Sequence, residues 1–170
     1  MFFTSDNGSA KRFDGIHDSC GVMQGKKRSL NEGGIRVPMV VRWPEKVKPG
    51  KVSDHPWYFP DVMPTLAEIA GISEEVPKDI DGISVLPTLL GKGKQKQHEY
   101  MYWQYGVRAA RSGKWKGIGK GGHMYLYDLS KDRAEKNDLS AKHPEIAAKF
   151  KRYITVGYRE PRSQKDDGKY

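Results

Sequence analysis

The 170-residue sequence contains a single cysteine, Cys20, so it can form neither an internal disulfide nor a cysteine-based zinc cluster. It has no run of 18 apolar residues, which leaves no segment able to cross a bilayer as a helix, and its first residues lack the basic start and long apolar stretch of a secretory signal. Internal repeats are absent. The histidines at 17, 55, 98, 123 and 143 show no metal-ligand spacing. Basic clusters at 26–28, 46–51 and 92–96 are too short for a nucleic-acid arm, and solvated surface accounts for each. The stretch "EYMYWQYGVRAAR" does not match an aromatic RNA-recognition motif, so no nucleic-acid partner is expected.

What is present is enough to fold. Hydrophobic residues make up 36% of the chain and charged ones 30%, a polar but globular balance. The length suits one ordinary domain, or the end of a larger domain with a small appendage. Thirty Lys and Arg against 21 Asp and Glu give a formal charge of +9, a field that attracts anions such as sulfated or phosphorylated substrates.

The opening "FFTSDNG" predicts a strand that stops on Asp6, Asn7 and Gly8. Two readings stay open there. Asn-Gly is a common turn, because glycine accepts positive φ and asparagine tolerates it. Asp6 and Asn7 are also two adjacent hard oxygen donors of the type that Ca²⁺ or Mg²⁺ prefers. Residues 9–31 lack periodicity and read as a long loop, which inside a compact domain points to function. The β-branched run 37–43, bounded by Pro38 and Pro44, predicts a buried strand.

Residues 61–71 predict a helix with Asp61 as cap, Pro64 in the first turn, Leu66, Ile69 and Ala70 on one face, and Gly71 at the end. A shorter helix over 84–90 stops at Gly91. This succession suggests a layered α/β domain over 1–95. After a polar connector, aromatic-rich runs at 100–105, 107–111, 115–118 and 124–129 predict a small antiparallel sheet, the core of a second region over 96–170. Ile146, Phe150, Tyr153 and Ile154 recur at helical spacing and predict a helix that packs on this sheet, followed by a mobile tail over 158–170.

Three segments in fixed order are more specific than any one alone: "TSDNG" at 4–8, "GKKRSLNEGGIRVPMVVRWP" at 25–44 and "DVMPTLAEIAG" at 61–71. Together they resemble the C-terminal half of the catalytic domain of type I sulfatases, the arylsulfatase family of the alkaline phosphatase superfamily. "DGISVLPTLLG", "RSGKWKGI" and "LYDLSKDRAEKNDLSAKHPEI" resemble the same family, so the likeness covers the chain to about residue 150.

The resemblance implies the α/β fold above, with the small sheet and its helix as a C-terminal subdomain. It implies that Asp6 and Asn7 are ligands of a Ca²⁺ ion whose other acidic ligands come from an N-terminal segment not in this sequence. It also implies that Lys27, five residues before Glu32, contacts the sulfate oxygens, with Lys26 as the neighbour if the loop register slips. His17 in "DGIHDS" is a candidate substrate contact or proton donor. Glu32, Gly33 and Gly34 read as structural, the glycines turning the chain into the strand and Glu32 accepting loop N–H bonds, while Arg36 reads as half of an ion pair.

The family's nucleophile, a formylglycine made from the first residue of Cys-or-Ser-x-Pro-x-Arg, has no counterpart. Neither Cys20 nor any serine is followed two positions on by proline. The chain by itself is therefore expected to lack turnover. A chain that opens directly on a strand is expected to be a fragment, or one half of a split enzyme whose partner is the N-terminal half. The expected substrate is a sulfate ester, with a sulfated glycan as one candidate. Alternatives are a non-catalytic basic module that binds sulfated glycans and a phosphoryl or phosphonate hydrolase of the same superfamily. For the intact family the expected location is periplasmic or extracellular.

Overall fold

The chain runs β1 (Phe2–Thr4), α1 (Glu32–Ile35), β2 (Met39–Val41), α2 (Val62–Ala70), α3 (Leu86–Leu90), β3 (Met101–Tyr105), β4 (Val107–Ser112), β5 (Trp115–Lys120), β6 (His123–Asp128) and α4 (Pro144–Val156). Single 3-10 turns lie at Lys11–Phe13, Phe59–Asp61 and Ser73–Glu75. The computed structural model describes residues 1–13 and 16–159. The tail expected to be mobile lies, from residue 160 on, outside the described residues. The chain divides into two compact units, one of residues 1–6 and 37–99, the other of residues 7–36 and 100–170. Among the described residues no helix is long and apolar enough to cross a membrane.

In the first unit β1 and β2 pair antiparallel, Phe2 opposite Val41, Phe3 opposite Val40 and Thr4 opposite Met39. The expected buried strand over 37–43 is shorter and less covered than its composition suggests. Only three residues pair, and Val40 is 54% exposed beside its partner Phe3 at 62%. A β-branched run records fitness for a covered sheet, and here the strand has a single neighbour. Helix α2 ends as expected, with Gly71 at φ 74, but its buried side chains are Thr65 and Ala67, while Leu66 is 45% exposed.

Asp61 does not cap α2 with its side chain. Its fully buried carboxylate accepts the N–H groups of Tyr58 (3.0 Å) and Ile83 (2.7 Å) and lies 2.8 Å from His98 Nε2. Thr65 Oγ1 donates to the Asp61 carbonyl and accepts the Val85 N–H. The buried side of α2 is therefore a polar staple rather than an aliphatic stripe.

The second unit holds a four-stranded antiparallel meander in the order β3-β4-β5-β6, within a residue or two of the runs read from the sequence. Strand alternation sorts its side chains onto two faces. One face, with Ala110, Met124 and Leu126, packs under Phe150 and Tyr153 of α4, as expected for that helix. Gly117 lets the helix approach, because a Cβ there would meet the Phe150 side chain. The opposite face, with Ala109, Ile118 and Tyr127, packs against Leu30 and Ile35 from the loop and α1.

Candidate functional site

The described residues between 7 and 31 are mostly irregular, yet their backbone is fastened at specific points. The Gly8 N–H donates to the Gly34 carbonyl (2.9 Å), the Lys27 N–H to the Ser9 carbonyl (2.9 Å), and the Gly33 N–H to the Gln24 carbonyl (2.8 Å). Three stretches separated in sequence, 7–9, 24–29 and 31–36, thus form one bonded knot. The glycines are there for closeness. A Cβ on Gly8 would run into the Gly33 carbonyl, one on Gly33 into the Gly25 and Gln24 carbonyls, and one on Gly34 into those of Ser29 and Lys26.

This corrects two readings. Gly8 does not have positive φ, so the Asn-Gly pair is not there for a left-handed turn. Gly33 and Gly34 do not swing the chain into β2; they lie in the single helical turn α1 with other backbone packed directly on them.

The knot places the residues singled out from the sequence as follows. Asn7 is half-buried at its edge. Lys27 is exposed, its backbone tied to Ser9, and it is followed by Arg28, a non-glycine residue at φ 76. Lys26 is half-buried. Asp6, exposed, is the last residue of the first unit's N-terminal stretch, joined to Asn7 by the peptide bond. His17 is exposed, its ring centroid 6.3 Å from that of Phe13. Cys20 is half-buried, with Sγ 3.4 Å from the Gly33 carbonyl.

Asp6 and Asn7 suit a hard cation in donor type. Such an ion takes about six to eight oxygens, however, so this adjacent pair can supply only part of a shell. Among the described residues no three His, Cys, Asp or Glu side chains are grouped to hold a metal ion.

Glu32 departs from expectation. Rather than accepting loop N–H groups, its buried carboxylate receives Lys116 Nζ at 2.9 Å, with Arg36 at 3.6 Å and Arg111 at 3.8 Å. Lys116, 0% exposed, also lies 2.9 Å from Glu135 Oε1, a contact of charges rather than an aligned hydrogen bond. Glu135 Oε2 in turn accepts the Glu32 N–H at 2.6 Å. Burial draws the Arg111 guanidinium below its ordinary value, with Glu32 pulling the other way. The Arg36 ion pair is as expected. Lys116 and Glu135 went unread, and only Lys116 left a trace, as a lysine alternating with Ile118 on a strand that faces the core.

Comparison with known proteins follows the same segments. The family model for the C-terminal region of N-sulphoglucosamine sulphohydrolase matches residues 24–156. An N-acetylgalactosamine-6-O-sulfatase of Bacteroides thetaiotaomicron is 34% identical over an alignment covering 86% of this chain and 34% of the relative. The steryl-sulfatase of Mus musculus is 39% identical over 60% of this chain and 17% of its own length. A solved Bacteroides thetaiotaomicron structure, described under the metabolism of multiple glycosaminoglycans, superposes with a TM-score of 0.77 at 32% identity, covering 92% of this chain and 38% of that one. The chain spans less than two fifths of each of these relatives.

Proposed function

The chain belongs to the sulfatase family, and from that premise we propose that it forms the C-terminal part of a sulfuric ester hydrolase acting on a sulfated sugar. The observation that carries the reading is the knot. The bonds from Gly8 to Gly34 and from Lys27 to Ser9 hold the Asn7 end of the first motif beside an exposed lysine of the second. Lys27 is the sulfate-contacting residue of this proposal. An ammonium on a fixed backbone, aimed at the oxygens of a departing sulfate, favours the charge that grows on them. Asp6 and Asn7 would hold part of the shell of a divalent cation, which when bound supplies Lewis-acid stabilisation of ester oxygens. His17, on the exposed part of the same loop, is the proposed substrate contact or proton donor.

The substrate class is drawn from the N-acetylgalactosamine-6-O-sulfatase, whose match extends over more of this chain than that of the steryl-sulfatase. The exposed apolar residues Phe3, Val40, Met63 and Leu66 support a further element of the proposal, that the first unit packs against the remainder of a full-length sulfatase domain. Without a Cys-or-Ser-x-Pro-x-Arg segment, the 170 residues alone should bind sulfate without turning over.

Calorimetric titration of the chain, with Ca²⁺ supplied, tests this. N-acetylgalactosamine 6-sulfate should bind and the unsulfated sugar should not, and Lys27→Ala should weaken binding roughly 10- to 100-fold, the value of one charge-assisted hydrogen bond. Equal affinity for both sugars, an unaffected Lys27→Ala variant, or steady hydrolysis of an aryl sulfate would overturn it.

A further inference from the structure

The geometry points to Lys116 and Glu135 as positioning residues that act through Glu32 to hold Lys27 in place, an inference that rests on the proposed sulfate role of Lys27. The register of the meander sets Arg111, Lys116 and Tyr127 side by side on its loop-facing side. From there Lys116 reaches into the interior, 0% exposed, and meets two carboxylates. Those belong to segments 84 residues before it and 19 after it. Glu135 then receives the first N–H of α1. Gln24, with its amide oriented to satisfy both groups, donates to the Ala134 and Glu135 carbonyls at 3.1 Å. The loop segment just before Lys27 and the helical turn after it are therefore held by the same stretch, 134–135.

Two observations favour positioning over simple stabilisation. Replacing the buried lysine and both carboxylates together by apolar residues of equal volume would cost little stability, so the charged set is read as specifying one arrangement. In addition, Glu135 within the network and Arg28 beside Lys27 are non-glycine residues in the left-handed region, at φ 53 and φ 76. Such conformations persist only where the surroundings impose them, and they gather where geometry matters for function. Arg28 follows Lys27 directly.

The test compares wild type, Lys116→Met, Lys27→Ala and the double variant by amide hydrogen exchange and by titration with N-acetylgalactosamine 6-sulfate. Lys116→Met should speed exchange at the Gly8, Lys27 and Gly33 amides at least tenfold, while the amides of Ala110 and Leu126, whose side chains face α4, stay protected. It should also weaken sugar binding at least tenfold, and the double variant should bind no worse than Lys27→Ala alone, because Lys116 acts only through Lys27. Unchanged exchange at Gly8 and Lys27, or an equal loss of affinity in the Lys27→Ala background, would overturn the assignment. If wild type shows no sulfate-dependent binding, the Lys27 reading fails and the exchange arm still decides whether Lys116 orders the loop. Should Lys116→Met not fold, Glu135→Gln is read by the same two measurements, with the same pattern expected and the same results overturning it.

Discussion

Gly8→Ala is the sharpest test of the knot, because nothing in the sequence alone makes that glycine obligatory. The added methyl would fall on the Gly33 carbonyl and the Gly34 Cα, both backbone, so no side-chain rotation relieves the clash. The two stretches must separate. Doing so lengthens the Gly8–Gly34 bond and strains the Lys27–Ser9 bond one residue on. Two backbone hydrogen bonds at about 1 kcal/mol each, plus about 1–3 kcal/mol for forcing an extra carbon into a packed site, give a loss of roughly 3–5 kcal/mol. For a chain of this length, at about 2–4 °C per kcal/mol, that corresponds to a fall in Tm of roughly 6–20 °C.

The control is Gly21→Ala. Gly21 has φ 53 but nothing within 4 Å of its missing Cβ, so its substitution should cost only the left-handed strain of about 1–2 kcal/mol. Thermal melts and urea titrations measure both. A Gly8→Ala protein as stable as wild type, or no less stable than Gly21→Ala, would show that the close approach is not a constraint, and the account of these glycines would be wrong.

Two further outcomes follow from other parts of the molecule. Burial works to raise the Asp138 carboxyl, but hydrogen bonds from His123 and from the backbone N–H groups of Leu126 and Ser140 outweigh it and bring the pKa down to about 2 from the ordinary 3.8. A depressed carboxyl adds stability above its unfolded value and loses it as pH falls. The urea midpoint should therefore drop between about pH 4 and pH 2, and Asp138→Asn should flatten that part of the profile; identical profiles would refute the assignment. Asp61→Ala removes the acceptor shared by Tyr58, Ile83 and His98 and should cost about 3–5 kcal/mol by urea titration, with Asp61→Asn intermediate, and a loss below 1 kcal/mol would contradict the staple.

The second unit was legible in the sequence because its signals are local. Gly106, Gly113 and the Gly121–Gly122 pair all take positive φ at the turns and bound runs of five or six residues, the length of a short strand. Helix α4 was legible for the same reason, since Phe150 and Tyr153 recur at helical spacing and both go under the sheet. In the first unit the local signals misled. The strand at Met39–Val41 and the α2 residue Leu66 are apolar where their neighbours in this chain do not cover them, and hydrophobic pattern reports what a segment can bury rather than what lies beside it. Asp61 looked like a helix cap because capping is what sequence spacing can suggest; its partners Ile83 and His98 are 22 and 37 residues away.

The same distinction explains the candidate site. A motif can be read as a pattern, but what fixes its shape is contact at long range, and here that contact comes from the meander. Leu30 and Ile35 pack on the sheet face opposite α4, and Glu32, between them in sequence, receives the fully buried lysine of β5, one of the sheet's two inner strands. Aliphatic residues at 32, 116 and 135 together would pack as well but would tolerate small shifts of α1, since apolar contact has no preferred direction. A charged pair with a second carboxylate behind it does not tolerate them: moving Glu32 by an ångström or two leaves an ammonium and two carboxylates buried without their partners. Because Gly34 accepts from Gly8, and Gly33 donates to Gln24 just ahead of Lys27, a fixed Glu32 means a fixed lysine loop. On the proposed role of Lys27, the small sheet thus bears on sulfate binding through its loop-facing side, which is why a lysine on β5 is placed to matter for a lysine 89 positions earlier.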